Sequence, residues 1–164
     1  MSDIFDSRLV KSFSIRTISI GLSGLALVLS IFFQWVHFYK NGELMEMDGT
    51  DVFRSSAAFF EPLVIPLLGI MLIILSLAIA KVPDLAVRSM IPIYLAIALP
   101  GISLILLVEC GARLHGFIMD IAGTGFFYNA GLGWYLGLVG SVAGLFAAVI
   151  PVVEPSLSDR EPHL

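Results

Sequence analysis

The chain has 164 residues, 58% hydrophobic and 13% charged, with a mean hydropathy of +0.97. Soluble domains carry about 25% charged residues, so a water-soluble globular fold is excluded and lipid is the expected main solvent. The net charge of −4 speaks against nucleic acid as a partner, which demands a basic face.

In chain order, the first segment is 1–16. Ile4, Phe5, Leu9, Val10 and Phe13 recur there at near-helical spacing, with Asp6, Arg8 and Lys11 between them. Two readings stand: an amphipathic cytoplasmic helix lying in the interface, or a plain helical extension of the first span. A membrane span takes about 20 mostly apolar residues. Four stretches qualify, at about 17–35, 57–80, 91–109 and 132–153, the second if Glu61 is tolerated. The first run is too long for a signal-peptide core and lacks a small-residue cleavage site, so it reads as a retained span.

Between the first two spans lies "VHFYKNGELMEM", residues 36–47. Asn-Gly between two short runs is a strong hairpin signal, because both positions of a type I′ turn need positive φ. A two-residue turn fixes the pairs Lys40–Glu43, Tyr39–Leu44, Phe38–Met45, His37–Glu46 and Val36–Met47. Side chains alternate between faces, so Val36, Phe38, Met45 and Met47 share an apolar face that needs a cover, from the second outer loop or from a partner. That face is the expected outer recognition element. After it, Thr50 or Asp51 is placed to cap a helix that would project above the membrane before entering it. Pro100-Gly101 predicts a kink in the third span.

The second outer loop, around 115–131, leaves two alternatives. Residues 117–121 add a strand to the hairpin, with Gly123 and Gly125 at the turn, or the third helix runs on past Glu109 towards Gly116. Asn129 is placed to cap the fourth span. That span carries two small-residue stripes, Gly133, Gly137, Ser141 and Gly140, Gly144, Ala148, a spacing that lets helices approach closely in lipid. Residues 154–164 read as a polar cytoplasmic tail.

Orientation is read from Lys and Arg. Arg8, Lys11, Arg16, Lys81, Arg88 and Arg160 fall on one side, and Lys40, Arg54 and Arg113 on the other. Both termini are therefore expected in the cytoplasm of a plasma-membrane protein. The acids Glu43, Glu46, Asp48, Asp51, Glu61, Glu109 and Asp120 make the outer side the acidic one.

Ionisable residues near a span are functional candidates. Glu61 sits in apolar surroundings. It is either an ion or proton site, a carboxylate paired with Arg113 or His115, or a group exposed above the bilayer. Glu109 and Arg113 stand at i, i+4, the spacing of a helical ion pair. His37 opposite Glu46 reads as a cross-strand polar pair. No spacing of His, Cys or acids resembles a metal motif, and no cofactor is expected. The lone Cys110 excludes an intrachain disulfide. No nucleophile–base grouping or phosphate loop is present, so an enzyme is not expected.

The layout of span, Trp35, hairpin, span, short inner loop, span, outer segment and glycine-rich last span resembles the claudin-like four-span proteins. It is also similar to small prokaryotic four-span proteins with a "GLGWYLGLVG"-type last helix. The claudin-type outer cysteine pair is absent, so junction function is not carried over. The resemblance implies an outer sheet and a lateral, protein-contacting role. The expected fold is a bundle of four transmembrane helices with a small extracytoplasmic β-hairpin or sheet. The expected function is that of a non-enzymatic accessory or scaffold subunit binding membrane lipid and other integral membrane proteins or itself. The alternative is a small transporter or channel with Glu61 and Glu109 at an outer mouth.

Overall fold

The computed structural model describes residues 2–40, 42–55, 60–82, 90–122 and 128–149. The elements in chain order are α1 (Ser2–Leu29), a 3-10 turn (Ser30–Phe32), β1 (Gln34–Lys40), β2 (Glu43–Asp48), α2 (Gly49–Ser55), α3 (Glu61–Lys81), α4 (Ile91–Ala122), β3 (Tyr128–Ala130) and α5 (Leu132–Val149). The tail 154–164, the residue Asn41 and the positions Gly123 and Gly125 lie outside the described residues.

Four helices are long and apolar enough to cross a membrane, over Ile15–Phe32, Glu61–Lys81, Ile91–Asp120 and Leu132–Val149. At most 44% of any of these windows is buried inside the chain, so much of each apolar helix is left uncovered by the rest of the chain. The helices form a closed ring, α1 on α3, α3 on α4, α4 on α5 and α5 back on α1.

Small residues set the closest approach. A Cβ added at Gly24 would lie 2.6 Å from the Gly69 carbonyl oxygen, and one at Gly69 would lie 2.6 Å from that of Gly24. The α1 and α3 backbones therefore touch at this crossing. Polar side chains tie the same interfaces: Ser76 Oγ donates to the Thr17 carbonyl at 2.8 Å, and Ser23 Oγ to the Gly140 carbonyl at 2.6 Å. Far from the sheet, Arg16 Nη2 donates to the Ala148 carbonyl at 2.8 Å, a cation on the carbonyl end of α5 where the helix dipole is negative.

At the other end lies a three-stranded antiparallel sheet in the order β2-β1-β3. The hairpin register is the expected one, Val36 to Met47 through Lys40 to Glu43, and it extends past an irregularity at Gln34 to Asp48. Gly42 has φ +85°, which a glycine takes without strain.

Several expectations are corrected, and two alternatives left open by the sequence are decided. The first span ends near Phe32 rather than at Trp35, because Phe33 turns to extended backbone and Trp35 enters β1. Residues 117–121 are helical, since α4 runs on to Ala122. Leu107, Cys110, Leu114 and Ile118 are all buried and share one helical stripe. The third strand comes later, where Tyr128–Ala130 pairs with β1. Asn129 lies in that strand opposite His37 and does not cap α5. The segment after the hairpin is a separate seven-residue helix, α2, not a long extension of α3. Residues 2–16 run into the first span without a break, as the helical-extension reading has it.

The cap of α2 is Asp48, not Thr50 or Asp51. Its Oδ1 accepts from Thr50 N at 2.8 Å, Thr50 Oγ1 at 2.6 Å and Asp51 N at 2.9 Å. Burial pushes the Asp48 carboxyl up, but the Thr50 hydroxyl, the two backbone amides and the Arg54 charge outweigh it and hold it below its ordinary value. Stability from a lowered carboxyl is present above the unfolded value, about 3.9, and is lost as pH falls through the folded value. Asp48→Ala is therefore expected to cost about 1 kcal/mol at neutral pH, and progressively less below about pH 4. Thermal unfolding of the two proteins across that range checks it, and a difference that does not shrink in acid contradicts it.

Candidate functional site

Two places gather the residues singled out in the sequence, both at the sheet end. The first is an ionic cluster between α3 and α4. Helix α3 begins at Glu61 with Pro62 next to it, a residue suited to the first helical turn, so the Glu61 side chain stands at the positive end of the helix dipole. Glu61 is fully buried. The extension of α4 brings Arg113 to the same height, where its Nη2 contacts Glu61 Oε1. The same nitrogen donates to Glu109 Oε1 at 3.3 Å, one turn back on its own helix. The guanidinium carbon stands 5.7 Å from the centre of the Phe60 ring, within cation–π range.

One cation thus serves two carboxylates in unlike surroundings. The Glu61 side chain is 0% exposed, Glu109 55% and Arg113 35%. Among the described residues, none donates a hydrogen bond to Glu61 Oε2. Of the three readings of Glu61, the pairing with Arg113 is the one the geometry realises, and the i, i+4 pair forms as well. Phe60 was not anticipated as a member; its place directly before Glu61 was the available signal.

The second place is the sheet. The His37–Glu46 pair forms at 3.2 Å, and Gln34 Nε2 joins it by donating to Glu46 Oε2 at 3.1 Å. The expected apolar face divides. Val36 and Phe38 are buried and Met47 packs against the same cluster, whereas Met45 is 42% exposed. The cover is the chain's own, because β1 lies against α5, α4 and α2. Val36 and Phe38 are therefore not an exposed surface. The exposed apolar side chains are Met45 and the cross-strand pair Tyr39 and Leu44, 53% and 52% exposed. Trp35 anchors the sheet: its Nε1 donates to the Ser30 carbonyl and its carbonyl accepts from Gly131 N, each at 2.8 Å.

The two small-residue stripes are all buried within the chain. A Cβ on Gly133 would lie 2.5 Å from the Ser30 carbonyl oxygen, and one on Gly137 3.0 Å from Leu107. On Gly140 it would lie 3.1 Å from Ala26, and on Gly144 3.0 Å from Pro100. Ser141 is fully buried, and Ala148 gives its carbonyl to Arg16. Association with another molecule through these stripes would have to displace α1 or α4. Among the described residues no group of three or more His, Cys, Asp or Glu is arranged to hold a metal. Comparisons with protein-family models, curated proteins and solved structures find no match.

Proposed function

We propose that this chain is a four-span membrane protein that works without catalysis, as an accessory or scaffold subunit contacting other integral membrane proteins. The observation that carries this reading is the exposed cross-strand apolar pair Tyr39 and Leu44 on the sheet, with Met45 exposed on the opposite face. Strand β2 stands at the sheet edge with a neighbour on one side only, and such an edge is a template for pairing. Two copies of β2 paired antiparallel over their full length would set Glu43 against Asp48 twice, and like charges directly opposite are unfavourable. A foreign partner therefore fits this edge better than a second copy does. The Lys and Arg distribution supports an outward-facing sheet with both termini in the cytoplasm.

Purification in mild detergent tests this. Wild type is expected to carry a stoichiometric partner, and Tyr39→Lys with Leu44→Lys to lose it while melting at the same temperature. A wild-type protein that runs alone as a stable monomer overturns the reading.

The complete burial of Glu61 favours a second reading, transport of an ion past Glu61 and Glu109. A small pocket of about 10 Å³, room for one water, lies at the far end between Arg16, Thr17, Ile79 and Pro92. Under this second reading Glu61→Gln abolishes flux in proteoliposomes; under the first it leaves partner binding intact.

A further inference from the structure

The ionic cluster does more than join two helices. Arg113 has two carboxylate partners, one on α3 and one on its own helix, and they differ in access to water: Glu61 is enclosed while Glu109 is more than half exposed. An enclosed carboxylate is tolerated because a cation sits on it. Its second oxygen, Oε2, accepts no hydrogen bond from the described residues, and a buried acceptor without a donor costs free energy. A proton placed on Glu61 removes the buried charge, and with it the attraction that draws Arg113 across to α3. The guanidinium keeps its own charge and still has Glu109 one turn away.

We infer that Glu61, Arg113 and Glu109 form a proton-operated latch between α3 and α4. The incoming proton binds a Glu61 carboxylate oxygen, Arg113 transfers to Glu109, and the packing of α3 on α4 loosens at the sheet end. Among the other charged groups on the elements packed against α3, α1 carries Asp3, Asp6, Arg8, Lys11 and Arg16 and none after Arg16. Helix α4 also carries His115 and Asp120 beyond Arg113, and α2 carries Asp51 and Arg54, both exposed. Arg16 on α1 is at the opposite end, on the Ala148 carbonyl, and the turn Ser30–Phe32 carries no charge.

Cys110 supplies the readout. It is the single cysteine, fully buried, and lies between Glu109 and Arg113 on α4. The full chain in detergent is labelled with dithiodipyridine, a disulfide reagent that reacts in acid as well as at neutral pH. Wild type is expected to be protected at neutral pH and to label about tenfold faster or more once acidified, as local opening sets the rate. Glu61→Gln, which carries the neutral form permanently, is expected to label fast at both pH values. Glu109→Gln, which takes away the partner to which Arg113 transfers, is expected to open only at lower pH than wild type, and His115→Gln to keep the wild-type acid response.

Equal wild-type protection at all pH values overturns the latch, as does a Glu61→Gln protein that keeps the wild-type pH profile. If Glu61→Gln does not fold, infrared difference spectra decide. A protonated-carboxyl band that appears on acidification in step with Cys110 labelling, and survives in Glu109→Gln, supports the latch; its loss in that variant overturns it.

Discussion

Gly69→Leu is expected not to yield a folded protein, or to melt far below wild type. The contact is backbone to backbone: the added Cβ would lie 2.6 Å from the Gly24 carbonyl oxygen and 2.9 Å from Leu27 Cβ. No flexible side-chain tip is available to move aside, so α1 and α3 must separate along their whole shared length. Forced overpacking usually costs about 1–3 kcal/mol, and a helix crossing that cannot relax locally lies at or beyond the top of that range. Gly116→Leu is the control, because a Cβ there meets nothing within 4 Å. Thermal melting in detergent should separate the two plainly. Equal melting temperatures would mean that the crossing can shift at little cost.

The second large effect is expected at Arg113. Arg113→Met removes the cation from a carboxylate that is 0% exposed. Breaking a buried pair from one side costs about 3–5 kcal/mol, and the partial exposure of Arg113 places this case at the lower end. The cost comes mainly from the stranded Glu61 charge rather than from a lost attraction. The double variant Glu61→Gln with Arg113→Met is therefore expected to be more stable than Arg113→Met alone. A double-mutant cycle of unfolding free energies measures this. Strictly additive losses would refute the coupling.

The sequence announced some of these features and concealed others, for physical reasons. The hairpin register was readable because Asn41-Gly42 fixes the turn and because a strand has a strict two-residue period. The third strand was not, because Tyr128–Ala130 is three residues long, too short to show a period. Residues 117–121 competed for the role because their apolar side chains suit a strand as well as a helix. What decided it was Leu107, Cys110, Leu114 and Ile118, buried together on one helical stripe. The small-residue stripes of α5 were visible, but their partner was not: close-packing residues look alike whether the neighbour is α1 or another molecule. Glu61 and Arg113 could be named as partners from the sequence, yet their contact depends on α4 outlasting the membrane-length stretch by at least one turn. The Asp48 cap lies two residues before the first expected one and was hidden behind Thr50 and Asp51, which are also good capping types.

The junction between sheet and bundle has a mechanical consequence. Only Gly131 separates β3 from α5, and its amide is held by the Trp35 carbonyl at 2.8 Å. On the other side, Trp35 reaches back to Ser30 at the end of α1. A Cβ added at Gly133 would run into the Ser30 and Phe33 carbonyls, so α5 has no slack against that turn. Sheet, α1 and α5 therefore behave as one crank. A neighbour that tilts α5 swings the sheet through the same angle, and a molecule gripping the sheet applies torque directly to the helices.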